Sequence, residues 1–264
     1  MSFKPLLLVT ALLLGLVQHA QAETVVLRDD LASLFASQGT RGTFVLLDVA
    51  ENKFTLINAK RARKPGIPAS TFKVANSLVA LETGVIRDEE EIIPYGGKPQ
   101  FLKVWEQDMS LRDAIRVSNL AVYRELARRI GLERYREWLA RLDYGNAKPG
   151  TDLENFWIRG PLKISAVEQA RFLARLAEEK LPLSVETQAK VKDIMILEKR
   201  GEKVLHGKTG WTTTPDPDLG WFVGWVENGG RLHAFALNMD MGSRKDAPKR
   251  KDLSIKFLEA LKIY

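Results

Sequence analysis

Strand-like apolar runs stand near both ends of this chain with a helical stretch between them, and no other feature restricts its fold so much. Phe44-Val45-Leu46-Leu47-Asp48-Val49 and Phe54-Thr55-Leu56-Ile57 flank the polar turn Ala50-Glu51-Asn52-Lys53, so Gly42 to Asn58 reads as a hairpin. Far along the chain, Leu219 to Val226 and Leu232 to Met239 flank Asn228-Gly229-Gly230, a strong turn signal, and Val204 to Thr209 reads as a fifth strand. Neither group can bury its apolar faces alone. Pairing them in one antiparallel sheet covered by the terminal helices leaves the middle of the chain to form an inserted all-helical lobe. The expected class is therefore α+β, with an α/β lobe over approximately 23–65 and 200–264 and a helical lobe over approximately 66–199. A cleft between two such lobes is the usual place for a small-molecule site.

The helical reading rests on apolar spacing and end signals. Ser70 to Leu81 closes at Gly84, Ser110 opens a helix with Asp113 three residues on, Ala121 to Ile130 closes at Gly131, and Leu132 to Leu142 follows. Ser165-Ala166-Val167-Glu168 is a capping box that starts Ala166 to Glu179. A further helix is predicted over Val185 to Leu197. The last runs from about Pro248, with Asp246 and Pro248 as start signals and Leu253, Phe257, Leu258 and Leu261 on one side.

Composition removes whole classes of function. The 264 residues include no Cys, which excludes disulfides, thiolate zinc sites, iron–sulfur clusters and a cysteine nucleophile. Lys4, the apolar run Leu6 to Val17 and Ala20-Gln21-Ala22 form a secretory leader, so cleavage of residues 1–22 is expected to leave Glu23 first. That run is shorter than the roughly 20 residues of a membrane-spanning helix, so no membrane anchor is expected after cleavage. The formal charge of +7 falls to +6 without Lys4 and favours anionic partners. The basic residues are scattered and lack the interleaved aromatics of a nucleic-acid-binding strip, so steering of a small anion fits better than nucleic acid.

Ser70-Thr71-Phe72-Lys73 opens an apolar helix, which sets Ser70 and Lys73 one turn apart on the same face. A serine hydroxyl becomes a nucleophile when a base takes its proton, and a lysine serves only if its surroundings hold the amine neutral or modify it. Phe72, Val74, Ala75, Leu78 and Val79 supply apolar surroundings. Lys208-Thr209-Gly210 offers a cation, a hydroxyl and a glycine that lets a ligand approach the backbone, a combination suited to a carboxylate. A phosphate loop ending in Gly207-Lys208-Thr209 would need glycine at 202, where the chain has Glu202. Ser118-Asn119-Leu120 and Tyr144-Gly145-Asn146 read individually as a cap and a turn. Together, S-x-x-K, a second serine element and K-T-G are the signature of penicillin-interactive serine enzymes.

With these motifs in this order, and Trp157 in Asn155-Phe156-Trp157, the chain resembles the class D β-lactamases, or oxacillinases, over essentially its whole length after the leader. Class A enzymes would show Ser-Asp-Asn where this chain has Ser118-Asn119-Leu120; class C enzymes are longer and lack a separate serine element. The resemblance implies a penicillin-interactive, β-lactamase-like fold and hydrolysis of the β-lactam amide of penicillins and related antibiotics. It implies an acyl-enzyme on Ser70, an oxyanion hole from the backbone N–H groups of Ser70 and Trp211, and Lys73 N-carboxylated by CO2 as general base. Trp157 would donate to that carbamate, Ser118 would relay a proton toward the leaving nitrogen beside Lys208, and Thr209 and Arg250 would bind the substrate carboxylate. Tyr144 and Asn146 would shape the loop wall. The family usually has Val at the third position of the serine element, so Leu120 is expected to crowd the carbamate and promote loss of CO2.

No cofactor besides that CO2 and no metal is expected, since His206 and His233 stand on separate strands and a hydrolytic zinc site needs about three protein ligands. The implied partner is a small-molecule β-lactam, the implied location the bacterial periplasm. A penicillin sensor that stays acylated, or a peptidoglycan transpeptidase or carboxypeptidase, would carry the same motifs, but the sensors are tethered by membrane helices and the others usually carry anchors or extra domains.

Overall fold

Side chains alternate between two faces along a strand, and here both faces of the central strands are apolar, which requires a layer of helices on each side. The computed structural model describes residues 22–214 and 216–264, so the leader read over 1–22 lies, except for Ala22, outside the described residues. The chain runs β1 (Thr24–Leu27), α1 (Ser33–Ala36), β2 (Gly42–Asp48), β3 (Lys53–Ile57), α2 (Ala59–Ala62), α3 (Lys73–Glu82), β4 (Ile92–Ile93) and β5 (Met109–Ser110). It continues with α4 (Leu111–Val117), α5 (Leu120–Ile130), α6 (Leu132–Arg141), α7 (Phe156–Arg159), α8 (Ala166–Ala177) and α9 (Val185–Ile194). Last come β6 (Ile196–Arg200), β7 (Lys203–Thr212), β8 (Asp218–Asn228), β9 (Arg231–Met241) and α10 (Lys249–Ala260).

The two ends of the chain meet in a seven-stranded sheet of order β1-β3-β2-β9-β8-β7-β6. Their junction is the antiparallel pair β2 and β9, with Thr43 opposite Asn238 and Leu47 opposite Ala234. All five strands read from the sequence are present. The edge strand β1 runs parallel to β3, the one exception to antiparallel pairing in this sheet.

Alternation decides which helix covers which face. Phe44, Leu46, Phe222, Phe235 and Leu237 point to one side, where they pack with Phe35 of α1 and with Leu253, Phe257 and Leu258 of α10. Val45, Leu47, Trp221, Val223, Ala234 and Ala236 point to the other and join the core of the helical segment. The small side chains of Ala234 and Ala236 leave room for α8, which lies against β9 and β2. The terminal helices thus cover only one face, and a helix from the middle of the chain covers the second. Its start is the predicted capping box: the Glu168 N–H donates to Ser165 Oγ at 3.2 Å and the Ser165 N–H to Glu168 Oε2 at 2.7 Å.

The structure corrects the reading of Val185 to Leu197 as one helix. The helix stops at Ile194, and Ile196–Arg200 crosses over to pair with β7, Arg200 opposite Lys203 across a turn in which Gly201 has φ of +59°. Leu, Glu and Lys favour a helix locally, but the free hydrogen-bonding edge of β7 outweighs that preference. The middle of the chain is therefore not wholly helical; it also holds the short pair β4 and β5.

Gly207 and Gly224 face each other across β7 and β8. A Cβ at Gly224 would come within 2.0 Å of the His206 carbonyl oxygen. Gly224→Ala is expected to lower the unfolding free energy by about 3 kcal/mol through overpacking, read from the denaturant midpoint.

Candidate active site

Ser70 lies half-buried in a tight 3-10 turn, Ala69–Phe72, that leads directly into α3. The preceding Ala69 has φ of +51°, a left-handed conformation that costs a residue with a Cβ about 1 kcal/mol. Neighbouring hydrogen bonds hold it there. Thr71 Oγ1 donates to the Pro68 carbonyl at 2.7 Å and accepts from Gln169 Nε2 of α8 at 2.7 Å, while Trp221 Nε1 donates to the Ile67 carbonyl at 2.9 Å. Gly210 of β7 packs on the same turn, since a Cβ there would stand 3.0 Å from the Pro68 oxygen and 3.1 Å from Thr71 Cγ2. The absence of a side chain at Gly210 thus makes room for the Ser70 turn.

Lys73 is the first residue of α3 and only 1% exposed. Its Nζ lies 2.9 Å from Ser70 Oγ and 5.1 Å from the centre of the Tyr123 ring. The Tyr123 hydroxyl is 2.8 Å from Ser77 Oγ, which donates to the Lys73 carbonyl at 2.7 Å. No carboxylate pairs with Lys73 among the described residues. Burial, and after it the charges of Lys208 and Arg124, hold this amine well below the usual lysine range. A neutral amine in contact with a hydroxyl is able to accept its proton.

Ser118 closes α4 in a left-handed conformation with φ of 58°. The next residue, Asn119, is buried; its Oδ1 caps α5 by accepting the Val122 N–H at 3.2 Å, and its amide donates to the Trp105 carbonyl at 3.2 Å. This fixes Ser118 Oγ at 2.9 Å from Lys208 Nζ. Lys208 also donates to the Thr209 carbonyl at 3.1 Å, and burial, assisted by the charge of Arg250, pushes it down to about 7. Arg250 is half-buried and donates from Nη1 to the Gly210 carbonyl at 2.6 Å and from Nε to the Ala247 carbonyl at 2.8 Å, so it is built into the end of β7 and is not a solvated helix start. Burial lowers it to about 10. Ser70 with Lys73, Ser118 with Lys208, and Gly210 with Arg250 are thus joined by direct contacts, with Thr209 half-buried among them.

The other residues singled out from the sequence border this line. Trp211 is half-buried and donates from Nε1 to Asp218 Oδ2 at 2.8 Å. Leu120, the first residue of α5, packs half-buried on the helical core. Trp157 is fully buried, its ring 5.6 Å from that of Phe72, and its Nε1 has no hydrogen-bond partner among the described residues. Tyr144 is a fully buried core residue that packs edge-on to Phe72 at 5.7 Å, whereas Asn146 donates to the Pro161 carbonyl at 2.9 Å and accepts the Lys163 N–H at 3.0 Å within its loop. His206, on β7, stacks on Trp225 at 4.2 Å, and His233, on β9, lies 3.4 Å from Asp48.

The family model for the penicillin binding protein transpeptidase domain matches residues 42–259. Beta-lactamase OXA-5 of Pseudomonas aeruginosa is 41% identical over 227 residues, 85% of each chain, and Beta-lactamase OXA-48 of Klebsiella pneumoniae is 37% identical, covering 87% of this chain and 86% of its own. The crystal structure of FUS-1 (OXA-85), a class D β-lactamase from Fusobacterium nucleatum subsp. polymorphum, superposes with a TM-score of 0.86 at 41% identity, over 89% of this chain and 98% of that one. The chain belongs to the class D β-lactamases. It is a β-lactam hydrolase, and the α+β fold expected from its sequence is the family's own.

Several residues that shape the site of this class D enzyme escape a reading by motif. Asn119 lies inside the serine element, and its fitness as a cap was the available signal. Gln169, Tyr123 and Arg124 reach the site only through tertiary packing, so no local pattern marks them. Lys208 yields a pH test. Its folded value near 7 lies below the ordinary 10.5, so between these values the unfolded chain binds more protons and stability rises with pH. Over pH 7 to 10 the unfolding free energy is expected to climb in the wild type relative to Lys208→Met, measured by denaturant unfolding.

Proposed function

We propose that this enzyme opens the β-lactam ring by a serine mechanism in which Ser70 is acylated and Lys73, carboxylated on its amine, is the general base for both acylation and hydrolysis. The observation that carries this reading is the contact of a buried Lys73 Nζ, without a carboxylate partner, with Ser70 Oγ at 2.9 Å. CO2 adds only to a neutral amine, and the environment that holds Lys73 neutral also permits the addition. Addition forms an N–C bond, releases the amine proton and leaves a carbamate anion, which supplies the general base. The orphaned indole Nε1 of Trp157 fits a donor to that anion, since a buried N–H without a partner costs about 1–3 kcal/mol.

The remaining roles follow the geometry. Ser70 gives up its proton as its Oγ attacks the lactam carbonyl, and the backbone N–H groups of Ser70 and Trp211 stabilise the developing oxyanion. The C–N bond breaks as Ser118 passes a proton to the leaving nitrogen. Lys208, with a value near 7, is able both to give and to take a proton at Ser118 Oγ, 2.9 Å away. Thr209 and the Arg250 guanidinium, anchored on Gly210, bind the substrate carboxylate. Water then releases the acyl group and restores the Ser70 hydroxyl. The substrates are penicillins and related β-lactams, and the activity confers resistance to them. The leader suits export to the bacterial periplasm, and among the described residues no helix is long and apolar enough to cross a membrane.

Hydrolysis of a chromogenic cephalosporin is expected to show multiple turnover that rises with bicarbonate, and Ser70→Ala is expected to abolish both turnover and the acyl adduct in intact mass. One stable adduct on Ser70 without turnover would make the protein a sensor or a penicillin-binding protein. Trp157→Phe is expected to lower kcat about tenfold in CO2-depleted buffer and to recover with bicarbonate. Leu120→Val is expected to weaken the bicarbonate dependence, as relief of crowding on the carbamate requires.

A further inference from the structure

Two cations act on the buried Lys73 amine and, after burial itself, hold it below the usual lysine range; one of them, Arg124, has no role in the chemistry above. Arg124 follows Tyr123, whose ring covers Lys73 Nζ, and is half-buried on α5. Its guanidinium donates from Nη2 to Asn155 Oδ1 at 2.5 Å and from Nε to the Glu154 carbonyl at 3.4 Å. Neither acceptor is charged. The nearby carboxylates are engaged elsewhere: Glu154 pairs with Arg128 at 2.9 Å, and Asp152 accepts from Asn155 Nδ2 at 3.0 and 3.1 Å. Among the described residues Arg124 forms no ion pair.

The Glu154 and Asp152 carboxylates act on Arg124 only through space, opposed by Arg159 and Arg128, so its positive charge is offset in part and not neutralised by a direct pair. Asn155 immediately precedes α7, and Trp157 follows two residues later, so the same two hydrogen bonds tie α5 to the segment that carries the orphaned indole. We propose that Arg124 is a positioning residue for carboxylated Lys73: it fixes the Asn155-Phe156-Trp157 segment and keeps a positive charge, free of a direct ion pair among the described residues, that favours an anion on Lys73. The inference rests on the carbamate reading and deepens it. The charge acts on both sides of CO2 addition. It disfavours the ammonium, which cannot react, and it attracts the carbamate, which is the product. Lys208 contributes in the same sense from β7 but is committed to Ser118.

The test measures the carbamate itself. With 13C-labelled bicarbonate, the NMR signal of carboxylated Lys73 is titrated in wild type, Arg124→Gln, Arg124→Lys and Asn155→Asp, each checked for folding by thermal unfolding. Arg124→Gln is expected to raise the bicarbonate concentration for half-carboxylation about tenfold, the effect of one nearby charge, while Arg124→Lys stays within about threefold of wild type. Asn155→Asp sets a carboxylate against Arg124, cancelling its charge, and also gives up the two bonds from Asn155 Nδ2 to Asp152, so it perturbs charge and clamp together, whereas Arg124→Lys keeps the charge. It is expected to raise the half-carboxylation concentration about tenfold as well. A wild-type value in Asn155→Asp, or in a folded Arg124→Gln, would overturn the proposal. Absence of any carbamate signal in a wild type that still turns over β-lactam would instead overturn the carbamate reading on which it rests.

Discussion

The lysine buried beside the nucleophile without a counter-charge is the constraint around which the rest of this structure is arranged. An ammonium ion in that position would carry a large desolvation penalty, and no carboxylate offsets it. The burial in α3 and two further cations therefore push this amine toward its neutral form, against the attraction of the Tyr123 ring face for a cation. Such a site has a cost in stability. The large apolar core of the helical segment, in which Phe72, Tyr135, Tyr144, Phe156 and Trp157 pack as one aromatic cluster, offsets it.

Much of the fold was legible because strand and helix signals were strong and separated along the chain. Both hairpins showed apolar alternation and clear turns, and Ser165 with Glu168 marked a helix start by side-chain chemistry alone. Failure came where local preference and tertiary pairing disagree. Ile196–Arg200 is composed of good helix formers yet lies at the open edge of β7. The strand Thr24–Leu27 is an exposed parallel edge of four residues with no alternation to report it.

The site divides along the same line. Ser70 and Lys73 share a helix face, and motif spacing states their contact almost directly. The pairing of Ser118 with Lys208 spans 90 residues of sequence and is created by the meeting of α4 with β7, so only resemblance to a family could anticipate it. Arg250 sits in the basic run Lys249-Arg250-Lys251, and its packing against the Gly210 carbonyl became apparent only from the fold. A residue that acts through another across the fold, such as Gln169 on Thr71, leaves no trace in a motif at all.

The packing of Gly210 on the Ser70 turn has a consequence for how such an enzyme can diversify. The reach from Ser70 to the strand that carries Thr209, Gly210 and the Arg250 anchor is set by Gly210 lying against the Pro68 carbonyl and Thr71, with no room for a side chain on Gly210 itself. Drift in side-chain size elsewhere leaves that spacing unchanged. The bordering loops, including the stretch between β7 and β8, are free to vary while the span from Ser70 to Thr209 and Arg250 stays the same length.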